Sequence, residues 1–344
     1  MVLKRSDFLY EVPEEAIAQY PSQKRSGSRL IVVDRATGAI AHRRFLDLPE
    51  YLKPGDVLVV NETKVFPARL DAIREATGAQ IEVFLLREEE PDIWETLVRP
   101  GRKVRIGEWL SVGPDLRGEV LDTTPNGGRR IRFQYEGDFH QIVDGVGRVP
   151  LPPYIRRTPD HDDVTRYQSI FAEKRGAVAA PTANLHFDEA MVERLRGQGV
   201  EILPVLLHVG LGTFRAVEVE DIRQHRMDAE YYEISADAAQ RLNAARAEGR
   251  RVLAVGTTAV RALESASTEP GRISASSGWT EKFIYPPYDF KIVQGLVTNF
   301  HQPGSTLLML VCALGGRDLI LKAYHEAVAQ GYRFFSYGDA MLIL

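Results

Sequence analysis

Residues 235–265 read SADAAQRLNAARAEGRRVLAVGTTAVRALES, and this stretch decides the fold class. Ser235 can cap a helix with one apolar face, and Gly249 can end it. Val252–Val255 then forms a short apolar run typical of a buried strand, and residues 258–265 are helical again. Because a helix, a buried strand and a helix follow one another, the sequence predicts a layered α/β domain.

The alternation of strands and helices extends on both sides of this stretch. A helix begins after Asp188, which is a favourable N-cap, and residues 200–208 read as the following strand. Residues 318–330 predict another helix, and residues 332–344 are strand-like to the end. The C-terminal half of the chain is therefore expected to form one α/β unit.

Between residues 68 and 150 the pattern changes to short alternating segments separated by turn residues. Strand-length runs such as 80–86 and 130–135 recur there without a helical period. The sequence therefore predicts two domains in an α/β fold. A layered α/β main domain is formed by residues 1–67 and 151–344, and residues 68–150 form an inserted small antiparallel β-barrel domain.

Composition excludes several classes of protein and of site. Of the 344 residues, 44% are hydrophobic and 26% are charged, which excludes collagen-like and wholly disordered chains. Cys312 is the single cysteine, so cysteine-rich zinc sites and thiolate-bound iron–sulfur clusters are excluded. The longest apolar run, 307–314, is much shorter than the roughly 20 residues that span a bilayer. We expect a cytoplasmic protein that binds neither metal nor membrane.

Charge is unevenly distributed along the chain. The net charge of −4 excludes a general polyanion binder, but residues 98–157 carry eleven basic and seven acidic side chains. A solvated charged surface would explain this excess. The alternative is a local phosphate-binding face, because a fixed cationic patch attracts nucleic acid whatever the overall charge.

Four glycine- or proline-rich loops carry the polar residues that could do chemistry. These loops are 178–187, 207–214, 255–264 and 297–306. Three of the eight histidines, His186, His208 and His301, lie in three of them. Helix capping could explain the first loop equally well, and a surface ion pair could explain Arg261 and Glu264 in the third. The chain has no nucleophile elbow, phosphate loop or zinc-binding helix motif.

These segments, in this order, resemble the S-adenosylmethionine:tRNA ribosyltransferase-isomerase family of queuosine biosynthesis. The matching stretches are LVVNETKVFPAR at 58–69, AAPTANLHF at 179–187, HVGLGTF at 208–214, VGTTAVRALE at 255–264, TNFHQPGSTL at 298–307 and FSYGDAMLI at 335–343. The resemblance covers essentially the whole chain. Three positions depart from the family pattern: Asn184 replaces a usual glycine, Leu207 a usual threonine and Asp228 a usual histidine.

The resemblance implies an α/β domain with an inserted β-barrel, and it implies a reaction. The ribosyl portion of S-adenosylmethionine is transferred to 7-aminomethyl-7-deazaguanine at the wobble position of tRNA. It rearranges to an epoxycyclopentane, which gives epoxyqueuosine with loss of adenine and methionine. S-adenosylmethionine is then a consumed co-substrate. We expect no permanently bound cofactor, tRNA as the partner, and a monomer.

This chemistry suggests roles for the polar residues. The sulfonium acidifies the adjacent ribose C–H, so the reaction needs a base, and adenine leaves more easily when an acid protonates it. Candidates for this acid and base work are His186, His208, His301 and Asp339. Candidates for holding the ribose, adenine and methionine carboxylate are Thr182, Asn184, Thr213, Arg215, Thr257, Thr258, Arg261, Asn299, Ser305 and Thr306. Candidates for RNA contact are Lys64, Arg69, Arg99, Arg102, Lys103, Arg105, Arg129, Arg130 and Arg132.

Two other functions stay open at the level of sequence. The chain could be an α/β enzyme that acts on a free nucleoside, in which case the barrel only stabilises the fold. It could also be a non-enzymatic RNA-binding protein. The second alternative is disfavoured because the polar residues cluster in the α/β domain and not in the basic insert.

Overall fold

The computed structural model describes residues 3–125, 127–210, 212 and 217–344. The strands are β1 Arg29–Asp34, β2 Ala39–Arg44, β3 Val57–Asn61, β4 Thr63–Val65, β5 Arg69–Arg74, β6 Ala79–Glu90, β7 Ile93–Arg99, β8 Trp109–Val112, β9 Leu116–Thr123, β10 Arg129–Tyr135, β11 Lys174–Ala177, β12 Glu201–Leu207, β13 Glu230–Ile234, β14 Val252–Val255, β15 Ser276–Thr280, β16 Gly295–Asn299 and β17 Ala340–Ile343. The α-helices are α1 Phe139–Val146, α2 His161–Arg166, α3 Glu189–Gly197, α4 Ala236–Ala247, α5 Thr257–Ala266, α6 Thr306–Gly315 and α7 Arg317–Ala329.

A nine-stranded mixed sheet forms the main domain, in the order β15-β13-β12-β3-β14-β16-β17-β1-β2. The four neighbours β12, β3, β14 and β16 run parallel, so their carboxyl ends meet at one edge. Alternate side chains of β3 enter separate cores: Val57 and Val59 pack with α4 to α7, and Leu58 and Val60 pack with α3. Coverage of both faces explains why these strands are apolar throughout, and the predicted α/β layering is confirmed.

The helix predicted after Ser235 forms as α4. The Ser235 hydroxyl accepts a hydrogen bond from the Ala238 N–H, which caps α4. Asp188 caps α3 in the same way through the Met191 N–H. In both helices the apolar stripe faces the sheet, so local capping and tertiary burial favour the same structure.

The insert is a closed antiparallel barrel with strand order β10-β7-β6-β5-β8-β9. It has its own core, which includes Val83, Leu85, Ile131 and Phe133. The chain leaves the main domain after β4, and Leu151 and Ile155 already pack in the main core. Strands β4 and β11, on the two sides of the insert, pair in parallel. The predicted inserted barrel is therefore confirmed, whereas the boundaries at residues 67/68 and 150/151 stay a prediction.

Two local predictions were wrong. Residues 68–150 were expected to lack a helix, yet α1 lies there, capped by Asp138, with Phe139 and Val143 buried against the barrel. Residues 332–344 were expected to be strand-like, but only β17 is a strand. The preceding loop turns at Phe335, whose φ is 70°. That conformation is uncommon for a residue with a side chain and cannot continue a strand.

The longest apolar run forms α6, a ten-residue helix in the main core. Within the described ranges, no helix is long and apolar enough to cross a membrane. In the same ranges, no group of three or more His, Cys, Asp or Glu side chains is placed to hold a metal ion.

Candidate functional site

Loops at the carboxyl edge of the parallel strands enclose a small cavity, here called the inner cavity. It offers about 50 Å³ of space. Its lining includes Tyr154, Thr182, Val209, Thr257, Thr258, Asn299, His301, Ser305, Phe335 and Ser336. All four loops that the sequence singled out contribute to this wall. The carboxyl edge of an open α/β sheet is where ligands usually bind.

Two helices begin at the inner cavity. Gly256, with φ at 88°, precedes α5, and no side chain caps that helix, so its first N–H groups favour an anion or a hydroxyl. The Thr258 hydroxyl accepts from Asn61 Nδ2 at 3.1 Å. Ser305 caps α6 by accepting from the Leu308 N–H, which gives it a structural role as well as a place in the cavity wall. Thr306 is buried behind it and is not part of the lining.

His301 is held rigidly in the wall of the inner cavity. Its Nε2 lies 2.8 Å from the Thr298 hydroxyl. The Tyr10 hydroxyl donates to the His301 carbonyl at 2.6 Å, and the His301 N–H donates to the Tyr324 hydroxyl at 3.1 Å. Burial lowers the pKa of the imidazole to about 3, so the ring is neutral at physiological pH and can accept a proton.

His186 has no ring nitrogen available for acid or base work. Its Nδ1 lies 2.8 Å from the Ser28 hydroxyl, and its Nε2 lies 3.2 Å from Asn299 Nδ2. The ring stacks on Phe45 at 5.0 Å and is absent from the cavity lining. Burial lowers its pKa to about 4. This geometry gives no support to a catalytic role for His186, and it fits a positioning role.

A second, larger space of about 970 Å³, here called the outer cleft, lies between the barrel and the main domain. Phe66 and Trp94 line it on the barrel side, and Tyr231 and Trp279 line it on the sheet side. Val209 lines both spaces, so the inner cavity and the outer cleft adjoin there.

His208 lies in the outer cleft. Its Nδ1 is 2.8 Å from the Thr63 hydroxyl, and its ring stacks on Tyr231 at 6.0 Å. Gly176 packs directly on the ring, since a Cβ there would lie 2.5 Å from His208 Nε2. Burial, with a further contribution from Lys174, lowers the pKa of His208 to about 4. His208 is therefore a second neutral imidazole, beside and not within the inner cavity.

Three candidates lie outside both spaces. Asp339 accepts hydrogen bonds from the Arg29 and Arg333 N–H groups, each at 2.8 Å, and burial raises its pKa. Arg261 is buried against Glu230. Its other nitrogens donate to main-chain carbonyls. Asn184 donates to the Asn61 carbonyl at 2.8 Å. These contacts give no support to a proton-transfer role for Asp339 or a carboxylate-binding role for Arg261, which stay predictions. The burial of Arg261 and Glu264 excludes the alternative of a surface ion pair between them.

The candidates for RNA contact fall into two groups. Arg129 donates to the carbonyls of Gly101 and Val104, Arg130 pairs with Glu89, and Arg69 pairs with Glu82. These three side chains have partners within the barrel, so they are less available for phosphate than the exposed candidates, Arg129 above all. The exposed candidates are Lys64, Arg99, Arg102, Lys103, Arg105 and Arg132.

Two candidates, Thr213 and Arg215, lie outside the described residues. Sequence reasoning missed other contributors: Ser28 and Thr63, which hold His186 and His208, and Tyr154, whose hydroxyl lies 2.6 Å from that of Ser336 in the cavity wall. Thr63 and Ser336 lie within two of the stretches that match the family, so the sequence could have indicated them as site residues. Ser28 and Tyr154 carried no such signal.

Three histidines whose pKa is lowered in the folded chain predict a loss of stability at mildly acidic pH. Folding lowers the pKa of His186 and His208 to about 4 and that of His301 to about 3, from an ordinary value of 6.5. The unfolded chain therefore binds more protons below about pH 6.5, so the free energy of unfolding falls as pH is lowered from there to about pH 4. Calorimetric melting temperatures should show this decline, and His301→Gln, which does not titrate, should show a shallower one. Equal slopes in both proteins would contradict the prediction.

Comparison with known proteins agrees with this architecture. Residues 5–343 match the family model described as queuosine biosynthesis protein. A protein of Desulfitobacterium hafniense named S-adenosylmethionine:tRNA ribosyltransferase-isomerase is 54% identical over 99% of this chain and 100% of its own length. A protein of the same name from Symbiobacterium thermophilum is 56% identical with the same coverage.

A solved structure also matches this chain over nearly its whole length. The crystal structure of S-adenosylmethionine tRNA ribosyltransferase from Thermotoga maritima is 40% identical, with a TM-score of 0.57, and the match covers 98% of this chain and 100% of that one. The chain belongs to the queuosine biosynthesis protein family that includes the S-adenosylmethionine:tRNA ribosyltransferase-isomerases.

Proposed function

We propose that this chain transfers and isomerises the ribosyl moiety of S-adenosylmethionine onto 7-aminomethyl-7-deazaguanine at the tRNA wobble position. The products are epoxyqueuosine-tRNA, adenine and methionine. The observation that carries this proposal is the pair of adjoining spaces that meet at Val209. Buried His301 lines the first space and half-buried His208 the second, and both imidazoles have a lowered pKa. Two substrates can thus approach one another at the carboxyl edge of the sheet.

The inner cavity is the proposed site of S-adenosylmethionine. Hydroxyls of Thr257, Thr258 and Ser305 suit the ribose, and the uncapped N-terminus of α5 suits the methionine carboxylate. The present space of about 50 Å³ holds only about three water molecules. The proposal therefore includes a widening of the cavity when a whole nucleoside binds.

The outer cleft is the proposed site of the tRNA base. It is large enough for a nucleotide, and Tyr231 and Trp279 offer aromatic faces on which an unstacked base can pack. An anticodon-loop base is already single-stranded, so its extrusion is easier than from a duplex. The rings of His208 and Tyr231 then border the incoming aminomethyl group.

Proton transfer is assigned jointly to His301 and His208. A neutral imidazole can take the proton from the ribose carbon next to the sulfonium, and an imidazolium can give a proton to the departing adenine. The low pKa of both rings supports the neutral, proton-accepting form at the start of the reaction. The proposal requires no permanently bound cofactor, and the enzyme is proposed to act as a cytoplasmic monomer.

The exposed barrel cations are the proposed contact for the tRNA backbone. Changing Arg99, Arg102, Lys103 and Arg105 together to serine should weaken tRNA binding. It should also flatten the plot of log Kd against log salt concentration by about 0.7–0.9 per lost phosphate contact. Filter binding across a salt series measures both effects. Arg223→Ser, which removes an exposed arginine paired with Asp221, is the control. An unchanged slope in the fourfold variant would contradict barrel contact.

A single assay tests the reaction against its rivals. The purified chain is incubated with S-adenosylmethionine and tRNA that bears the aminomethyl base, and adenine, methionine and the modified nucleoside are measured by mass spectrometry. We expect the three products in equal amounts, and none with tRNA that bears guanine. Turnover of the free nucleoside alone would indicate a small-molecule enzyme. Binding of tRNA without release of adenine would indicate an RNA-binding protein.

A further inference from the structure

The side-chain amide of Asn299 has one permitted orientation. Its Nδ2 lies 3.0 Å from the Phe335 carbonyl oxygen and 3.2 Å from His186 Nε2. Because a carbonyl oxygen only accepts, reversing the amide would bring two oxygens together. His186 Nε2 must accept as well, so the ring proton lies on Nδ1, which donates to the Ser28 hydroxyl. Phe335 and His186 together fix which atom of the amide is the acceptor.

This orientation leaves the Asn299 Oδ1 without a protein partner. The residue is 1% exposed, and Oδ1 has no hydrogen-bond partner among the described residues. Buried acceptors without a partner are unfavourable and rare. Asn184 carries a second such oxygen, but only Asn299 also lines the inner cavity. A ligand that brings a donor to this wall would supply the missing hydrogen bond.

The surroundings of Asn299 indicate a donor on a flat ring. Phe335 holds the amide through its carbonyl and has a φ of 70°, an uncommon conformation that is enriched at active sites and ligand clamps. Its ring packs 4.9 Å from that of Tyr154, and both residues line the inner cavity beside Asn299. Two of the three hydroxyls suited to a ribose, those of Thr257 and Thr258, lie instead on α5.

We propose that Asn299 Oδ1 accepts a hydrogen bond from the 6-amino group of the adenine in S-adenosylmethionine, and that it selects aminopurines over purines without this donor. His186 is then a positioning residue that holds the amide in the accepting orientation. This inference rests on the proposed function, because it takes S-adenosylmethionine as the ligand of the inner cavity.

Calorimetric binding to the whole protein tests the proposal. The ligands are S-adenosylmethionine, its analogue with hydrogen in place of the 6-amino group, and its 2′-deoxy analogue. Wild type should bind the 6-hydrogen analogue about tenfold more weakly, as expected for one lost hydrogen bond that leaves its buried acceptor unpaired. In Asn299→Ala, S-adenosylmethionine and the 6-hydrogen analogue should bind about equally, while discrimination against the 2′-deoxy analogue stays as in wild type.

The positioning role has its own measurement. His186→Phe keeps a ring beside Phe45 but removes the nitrogen that faces Asn299, so it should reduce discrimination against the 6-hydrogen analogue without abolishing turnover. Asn243→Ala is the matched control, because Asn243 bonds the Ile273 backbone through both amide atoms far from the cavity. Its discrimination should equal that of wild type.

The binding measurements distinguish failure of the adenine contact at Asn299 from failure of the proposed function. Equal affinity of wild type for S-adenosylmethionine and the 6-hydrogen analogue overturns this inference whether or not any variant folds. Loss of discrimination against the 2′-deoxy analogue in Asn299→Ala would show that the oxygen contacts the ribose instead, and it overturns the inference too. Both results leave the proposed function intact. Failure of wild type to bind S-adenosylmethionine overturns both.

Discussion

Replacing His301 with glutamine is expected to lower kcat for adenine release by about 10²–10⁴-fold, the usual range for loss of one acid–base group. Glutamine approximates the size of the ring and can still bond the Thr298 hydroxyl, but it cannot carry the proton. The backbone contacts of residue 301 with Tyr10 and Tyr324 do not involve the imidazole. The variant should therefore fold, and its rate is measured with both substrates saturating.

A histidine outside the site provides the control for this substitution. His161 is exposed at the start of α2, so His161→Gln should keep the wild-type rate. Binding of S-adenosylmethionine, measured by calorimetry, should change much less in His301→Gln than kcat does. If kcat stays within about twofold of wild type, His301 is not a proton carrier, and the assignment would pass to His208 alone.

The parts of the fold that sequence could predict are those whose signals are local. The helix after Ser235 has its cap, its apolar face and its terminating glycine within fifteen residues, and all three agree. The barrel strands have the alternation and turn residues of a two-sided sheet. Helix α1 was missed because it is eight residues long and is surrounded by strands, so its short apolar stripe did not stand out.

The candidate site likewise has features that the sequence could predict and features that depend on residues distant in sequence. Parallel strands bring their carboxyl ends to one edge, so the convergence of loops that contain Thr257, Asn299 and His301 could be predicted. The role of His186 could not, because Ser28 and Asn299 are 158 and 113 residues away in sequence. Similarly, the charge of Arg129 suggested RNA binding. The neighbouring sequence gave no sign that its guanidinium donates hydrogen bonds to main-chain carbonyls of the barrel.

Replacing Arg261 with methionine is expected to lower the free energy of unfolding by about 3–5 kcal/mol, because it leaves the buried Glu230 carboxylate without its cation. The two side chains are 4% and 2% exposed, so water cannot take the place of the guanidinium. One Glu230 oxygen still accepts from the Gly210 N–H at 2.8 Å, which is too little to compensate a full charge. Urea unfolding followed by circular dichroism measures the loss.

A double variant distinguishes two causes of this loss of stability: the uncompensated charge of Glu230 and the lost packing of the arginine side chain. Changing Glu230 to leucine in the same chain removes the uncompensated charge, so Arg261→Met with Glu230→Leu should recover most of the stability. Arg156→Met is the control, because it breaks an exposed ion pair: the side chains of Arg156 and Glu14 are 69% and 76% exposed. It should change the free energy of unfolding by less than about 1 kcal/mol. If the double variant is no more stable than Arg261→Met alone, the buried charge is not the cause. Packing of the arginine stem would then explain the effect.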